Sequence, residues 1–229
     1  VRIGPYPEFG SLGWDQSLTV MTMTDGRPVP DDMTLESRRA MSADEMPRGR
    51  TYTVRGIDAD GVMELWMAVH GDDPETVSTW ARSCSVGDPV AVFGPRGRFR
   101  VPDEVDRAVL VADASALGAA AAVADGLVAE VSTSMPMTVV GVVGGASEEF
   151  DLGLSDHIEV EWLHAPSDPV ERGKAVASHI ASLDPAPSYV WGAGEFNMTR
   201  PLRTTLRGEL GLPAGRVAVS AYWRADTTT

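Results

Sequence analysis

The chain has 229 residues, of which 43% are hydrophobic and 23% charged, ordinary values for a folded globular protein. Its net charge of -14 disfavours nucleic acid or an anionic membrane as the main partner, so an anionic ligand needs a local basic patch. Cys84 is the only cysteine, which excludes an intrachain disulfide and favours a reducing, cytoplasmic compartment. No apolar run approaches the roughly 18 residues of a membrane span, and no signal peptide follows Val1.

The first part of the chain has the pattern of short strands joined by turns. The predicted elements are a strand at 17–23, a helix at 33–46 with Thr34 as its N-cap, strands at 52–57 and 62–70, a helix at 74–83 and a strand at 89–93. The turn at 58–61 between two β-rich runs indicates a hairpin, and residues 94–97 are expected to form a turn that ends the last strand. This pattern predicts a small antiparallel barrel.

The pattern changes after about residue 104. The predicted elements are strands at 108–112, 137–143, 157–163, 188–191 and 217–222, with helices at 115–130, 173–182 and 199–210. Strands that alternate with helices predict a parallel sheet built from βα units. We therefore expect two domains, 1–104 and 105–229, with the boundary at residues 102–107.

Arg50, Thr51, Tyr52 and Thr53 open a predicted strand and are the first candidate binding residues. Alternate side chains of a strand share a face, so Arg50 and Tyr52 point the same way. A guanidinium beside a phenol can bind a pyrophosphate and flank a flat ring. Thr53 can offer a hydroxyl or a backbone group to a ring nitrogen or carbonyl. The alternative is an exposed arginine and a half-buried tyrosine on an ordinary strand.

A second candidate segment precedes the predicted helix at 74–83. Gly71, after His70, permits close approach of the backbone to a ligand. The start of the helix, near Val77 and Ser78, favours an anion such as a pyrophosphate. The alternative is a strand that leads into a surface helix, with His70 simply satisfied at its end.

Other motifs carry less chemistry. Glycines at 141–145 and 192–194 follow predicted strands, where glycine suits a dinucleotide, but such short patterns are weak evidence. His157 and His164 fall on opposite faces of a strand, so no shared metal site is expected. Cys84 has no Cys-x-x-Cys partner and no obvious His or Asn companion, and no Walker-type phosphate-binding loop or Gly-x-Ser-x-Gly motif is present, so no catalytic residue is assigned.

Taken in order, several motifs resemble the siderophore-interacting proteins, which are FAD-binding ferric-siderophore reductases of the ferredoxin-reductase-like superfamily. The matching segments are 50–55 (Arg-Thr-Tyr-Thr-Val-Arg), 69–71 (Val-His-Gly), 78–81 (Ser-Thr-Trp-Ala), 86–88 (Val-Gly-Asp), 94–97 (Gly-Pro-Arg-Gly), 193–195 (Ala-Gly-Glu) and 222–224 (Tyr-Trp-Arg). The resemblance begins near residue 14. The strands that the family has before Asp15 look shortened or missing, so we expect the chain to start inside the barrel.

The resemblance implies an antiparallel FAD-binding barrel followed by a parallel-sheet, nicotinamide-type α/β domain. The FAD-binding residues it implies are Arg50, Tyr52, Thr53, Val69, His70, Gly71, Val77, Ser78, Tyr222 and Trp223. It also implies an FAD-dependent oxidoreductase that passes electrons from the flavin to Fe(III) held by a small-molecule siderophore.

The loop at 111–118 departs from the family pattern. The family usually has Ala-Gly-Asp-Glu-Thr-Ala-Leu-Pro, whereas this chain has Val-Ala-Asp-Ala-Ser-Ala-Leu-Gly. The residues left as nicotinamide-site candidates are Asp113, Ser115, Gly194 and Glu195. Because Ala112 narrows the approach to the backbone and Ala114 removes a carboxylate, we predict poor use of NAD(P)H.

Two alternatives to a direct NAD(P)H-dependent reductase follow from this loop. A ferredoxin-like protein is one candidate electron donor. In the other, the chain is a relative that keeps FAD, in one version as a structural cofactor, and acts in small-molecule biosynthesis. A further class is a binding protein that has lost the flavin.

Overall fold

The computed structural model describes residues 1–6, 13–23, 28–30, 33–42, 45–69, 77–97, 99, 104–131, 135–183 and 186–225. The chain divides into two compact units, Val1–Phe99 and Arg100–Thr229. The first unit contains an antiparallel sheet of five described strands, and the second contains a parallel sheet of five described strands with helices. The predicted combination of an antiparallel barrel-type sheet and a parallel α/β sheet is therefore confirmed.

The sheet of the first unit has the strand order β1-β4-β3-β2-β5. Its strands are β1 (Arg2–Ile3), β2 (Ser17–Thr22), β3 (Arg48–Ile57), β4 (Met63–Leu65) and β5 (Ala91–Arg96). Successive side chains of a strand point to opposite faces, so one face supplies the core. The buried members of that core are Ile3, Leu18, Val20, Val54, Met63, Leu65 and Val77.

Two local signals position the connections of this unit. Helix α1 (Leu35–Ala40) begins at Thr34, whose Oγ1 accepts from the Ser37 amide at 3.0 Å in a capping box. The helix is shorter than the predicted 33–46, because the backbone of Met41 is extended and ends the helical hydrogen bonding. Asp58 Oδ1 accepts from the Val62 amide at 2.9 Å and closes the predicted hairpin between β3 and β4. Helix α2 (Val77–Ser83) follows.

The second unit is built from βα units. Its strands are β6 (Ala108–Asp113), β7 (Met137–Val143), β8 (Ile158–His164), β9 (Tyr189–Glu195) and β10 (Val217–Trp223), and its helices are α3 (Leu117–Glu130), α4 (Pro169–Ala181) and α5 (Phe196–Gly208). The strand order is β10-β9-β6-β7-β8, and every pair is parallel. The chain moves outward from β6 to β8 and then returns to the other side of β6. The order therefore reverses between β6 and β9, the position where open α/β sheets bind ligands.

Burial explains the continuous apolar runs of this unit. All residues of β6, β7 and β9 are buried, as expected for parallel strands that helices cover on both faces. One face packs against α4 and α5 in a cluster that includes Val111, Val140, Ile180 and Leu202. Within the described residues, no helix combines the length and the apolar character needed to cross a membrane.

Three glycine-containing segments lie inside strands, and only the first of them, at residues 94–97, was predicted to form a turn. Arg96 pairs with Ser17 of β2, so residues 94–96 belong to β5. Gly192 pairs with both Val111 and Val219, which places it within β9. Gly141 lies in β7, and a Cβ there would be 2.4 Å from Cζ3 of Trp162. Close packing, not a turn, therefore requires the glycine at this position.

Candidate functional site

The first candidate site is the face of β3 that carries Arg50 and Tyr52. In the pairing with β2, Arg50 lies opposite Val20 and Tyr52 lies opposite Leu18, so the two share one face as predicted from their spacing. Arg50 is exposed, and its Nη1 donates to the Gly49 carbonyl at 3.1 Å. Among the described residues it forms no ion pair with a carboxylate. Its charge is therefore available to an anionic ligand.

Tyr52 is partly buried against the core of the first unit. Burial raises the pKa of its phenol, and the positive charge of Arg50 partly opposes that rise. The hydroxyl therefore stays protonated at neutral pH and can donate a hydrogen bond. An uncommitted guanidinium beside a neutral phenol is a donor set that suits a pyrophosphate and a flat ring, so these residues fit a flavin dinucleotide.

The other residues predicted for this site differ in strand face and in exposure. Thr53 lies opposite Ser17, on the face of β3 away from Tyr52, so it would reach the same ligand through its backbone. Val69 is exposed, whereas Val77 and Ser78 are buried at the start of α2. His70 and Gly71 lie outside the described residues, as does the rest of the segment up to residue 76.

The second candidate site is at the carboxyl end of β6, where Asp113 is buried with 3% of its surface exposed. Its Oδ1 accepts from the amide and the Oγ of Ser115, at 2.9 and 2.6 Å. Its Oδ2 accepts from the Glu195 amide at 2.8 Å and from Nε1 of Trp223 at 3.0 Å. Both carboxylate oxygens are thus committed within the protein.

Glu195 and Gly194 complete this cluster at the end of β9. The Glu195 side chain caps α5 by accepting from the amides of Asn197 and Met198, the latter at 3.1 Å. Its Oε1 also accepts from the Ala225 amide at 3.1 Å. Gly194 has a φ of +150°, and a Cβ there would be 2.6 Å from Asp113 Oδ2. The structure therefore brings the four predicted nicotinamide-site candidates together. Asp113, Ser115 and Glu195 are joined by hydrogen bonds, and Gly194 packs against Asp113.

The two alanines that depart from the family pattern near the loop between β6 and α3 differ in their exposure. Ala112 is fully buried within β6, whereas Ala114 is exposed. The Cβ of Ala112 therefore lies within the core, and of the two alanines Ala114 is the one that a ligand could meet. This placement does not support the expected obstruction at residue 112. Poor use of NAD(P)H is instead expected from Ala114 and from the hydrogen bonds that already occupy the Asp113 carboxylate.

The contact between Trp223 and Asp113 was not predicted from the sequence. The family resemblance implies only an FAD contact for Trp223, but its indole donates to a carboxylate 110 residues away in the chain. Arg224 adds a second contact, with its guanidinium 3.9 Å from the centroid of the Phe196 ring. Asp113, a charged residue next to the apolar run of β6, was the available signal, but nothing in the sequence identified its partner.

His157 and His164, the two histidines considered as metal ligands, make separate contacts. His164 Nε2 lies 2.5 Å from Glu149 Oε1, and His157 Nε2 lies 3.2 Å from Ser155 Oγ. In the part of the chain that the structure describes, no group of three or more histidine, cysteine or acidic side chains is arranged to hold a metal ion.

An antiparallel barrel-type sheet followed by a parallel five-stranded α/β unit defines the ferredoxin-reductase-like class of flavin and nicotinamide-binding proteins. The ferredoxin reductase in carbazole 1,9a-dioxygenase has this fold, with a TM-score of 0.65 at 16% identity over 91% of this chain and 60% of that one. Two family models match in chain order: the siderophore-interacting FAD-binding domain at residues 6–99 and the siderophore-interacting protein at 105–226. The chain therefore belongs to the siderophore-interacting protein family, and FAD is its cofactor.

Individual relatives agree with this assignment. The crystal structure of a siderophore utilization protein from T. fusca is 30% identical, with a TM-score of 0.74, and the match covers 96% of this chain and 83% of that one. The NADPH-dependent ferric-chelate reductase of Escherichia coli (strain K12) is 27% identical over 220 residues, which are 95% of this chain and 82% of the relative.

Proposed function

We propose that this protein is an FAD-dependent ferric-siderophore reductase, which reduces siderophore-bound Fe(III) to Fe(II). The observation that carries the proposal is the available charge of Arg50 beside the neutral phenol of Tyr52, within the unit that matches the family's FAD-binding domain. The name of the relative from Escherichia coli, a ferric-chelate reductase, supports the same type of reaction.

Each residue of the site has a role in this proposal. Arg50 holds the pyrophosphate by charge-assisted hydrogen bonds, and Tyr52 packs against the flavin and donates its hydroxyl proton to a hydrogen bond. The remaining contacts, assigned by the family resemblance, come from Thr53, Val69, His70, Gly71, Val77, Ser78, Tyr222 and Trp223. When bound, FAD supplies the redox chemistry, and each Fe(III) takes up one electron.

We also propose a compartment, an electron donor and a substrate class for this reaction. We place it in the cytoplasm, where Cys84, free in the structure, would stay reduced. The electron donor proposed here is a ferredoxin-like protein rather than NAD(P)H used directly, because Asp113 and Glu195 are committed to contacts within the second unit. The substrate is a small-molecule ferric chelate.

The experiment is a half-reaction without a natural donor. The purified, FAD-loaded protein is reduced with dithionite under anaerobic conditions and mixed with a ferric siderophore and an Fe(II)-trapping dye. We expect the flavin absorbance to return as Fe(II) appears, faster than with the same concentration of free reduced FAD. A protein that binds FAD but reduces no ferric chelate faster than free flavin would contradict the reductase and favour the biosynthetic alternative. A protein that binds no FAD would contradict both.

A further inference from the structure

The contact between Trp223 and Asp113 crosses the end of a strand. Strand β10 borders β9, and β9 in turn borders β6. An N–H group from the end of β10 that reaches Asp113 at the end of β6 must therefore pass over the end of β9, where Glu195 lies. The sheet order reverses between β6 and β9, so the indole lies at the position where a dinucleotide would enter.

Residues 223–225, the C-terminal strap, make contacts of three different kinds with described residues of the second unit. Trp223 Nε1 donates to Asp113 Oδ2 at 3.0 Å, and the Ala225 amide donates to Glu195 Oε1 at 3.1 Å. The Arg224 guanidinium lies 3.9 Å from the Phe196 ring centroid. Both acceptors are carboxylates in buried residues, with 3% of Asp113 and 2% of Glu195 exposed. Charge-assisted bonds of this kind are stronger than neutral ones.

We propose that Asp113 is a positioning residue that sets the affinity for a nicotinamide dinucleotide through Trp223. A dinucleotide at this strand end competes with the indole for the same position, and Asp113 holds the indole in place. Trp223 is 45% exposed, so its side chain can leave without opening the core. The inference rests on the proposed function only in taking the protein to be an FAD-dependent reductase, and it does not require NADPH to be the natural electron donor.

The size of the effect follows from a population argument. A ligand that binds only the open form has its apparent affinity reduced by the fraction of molecules that are open. Removing the indole N–H removes one hydrogen bond to a carboxylate, which favours the open form. We expect the apparent affinity for NADPH to rise roughly tenfold, the factor that corresponds to about 1.4 kcal/mol.

The decisive variant is Trp223→Phe, which keeps an aromatic ring and removes the N–H donor. The probe is NADPH, titrated by calorimetry into the oxidised, FAD-loaded, full-length protein under anaerobic conditions and with flavin reduction recorded in parallel. The control is Trp162→Phe, the same change in β8 of the same unit, away from the carboxyl end of β6. We expect tighter binding for Trp223→Phe and an unchanged dissociation constant for the control. Equal dissociation constants for wild type and Trp223→Phe would overturn the proposal.

A double-mutant cycle tests whether Asp113 acts through Trp223. Asp113→Asn should also tighten NADPH binding, and the Asp113→Asn/Trp223→Phe double variant should gain nothing over Trp223→Phe alone. Fully additive gains would show that Asp113 does not act through the indole and would overturn its positioning role. If Asp113→Asn fails to fold, Trp223→Phe against Trp162→Phe still decides whether the strap competes with the dinucleotide.

These outcomes are separate from those of the proposed function. The wild-type half-reaction with dithionite and a ferric chelate needs no dinucleotide, so its failure would contradict the reductase without changing the NADPH titration. An unchanged affinity in Trp223→Phe would contradict the role of the strap even if the wild type reduced ferric chelates rapidly.

Discussion

The charge of Arg50 opposes the rise in the pKa of Tyr52 that burial causes, so the two side chains influence each other on one face of β3. Their spacing in the sequence already placed them on that face, and the pairing with β2 agrees with it. The guanidinium is exposed and the phenol is partly buried. Arg50 can therefore meet an anionic ligand while Tyr52 contributes a protonated hydroxyl.

Removing this guanidinium should weaken the binding of FAD. We expect Arg50→Ala to cost about 1.5–3 kcal/mol, the scale of a hydrogen bond to a charged group. Fluorescence titration of the flavin-free protein with FAD measures the change. Arg207→Ala, an exposed arginine of α5 in the second unit, changes the net charge equally and should bind FAD as the wild type does. Equal losses in both variants would mean that overall charge, rather than a local phosphate contact, controls affinity.

Alkaline pH should destabilise the first unit partly through Tyr52. Burial raises the pKa of this phenol above its ordinary value of 10.0, so the fold favours the protonated form. The corresponding stability is fully present below about pH 10 and is lost as the pH rises through the folded-state pKa. Tyr52→Phe has no hydroxyl to ionise, so its free energy of unfolding should fall less steeply above that pH. Urea unfolding of both proteins at neutral and alkaline pH tests this, and parallel pH curves would contradict it.

A side chain at Gly141 should destabilise the second unit. The Cβ of Gly141→Ala would lie 2.4 Å from Cζ3 of Trp162, so the indole must move away from β7. Overpacking of this kind costs about 1–3 kcal/mol. Gly145→Ala is the matched control, because a Cβ at Gly145 has no atom within 4 Å and its backbone is extended. Thermal unfolding should show a clear loss for Gly141→Ala that Trp162→Leu relieves in the double variant; a loss that persists would implicate the backbone instead.

Direct reduction of the flavin by NADPH or NADH should be slow. The reason is that Ala114 replaces a carboxylate of the family pattern, while both oxygens of Asp113 are already engaged. Anaerobic stopped-flow measurement of flavin bleaching gives the rate with each nucleotide, and a ferredoxin-like protein donor provides the comparison. Bleaching within milliseconds at micromolar nucleotide would show that the substitutions in this loop are tolerated. Slow bleaching with every donor would instead favour the biosynthetic alternative.

The sequence by itself determined the fold class and the order of the elements. Leu18 and Val20 of β2 and Tyr52 and Val54 of β3 alternate with threonines, and continuous apolar runs mark the buried strands β6 and β7. The sequence also indicated local hydrogen bonds, because Thr34 and Asp58 accept from amides only a few residues further along the chain. The same holds for Arg50 and Tyr52, whose common face follows from their separation along one strand.

Only the tertiary structure decided which residues form hydrogen bonds with one another at the carboxyl ends of the parallel strands. Gly192 was predicted to follow a strand, but its pairing with Val111 holds it inside β9. Asp113, Glu195 and Trp223 come from three strands that are far apart in the chain, and a parallel sheet brings their carboxyl ends to one edge. A periodic pattern reports which face of a strand a residue occupies. It carries no information about which distant donor satisfies a buried carboxylate, because that depends on the strand order.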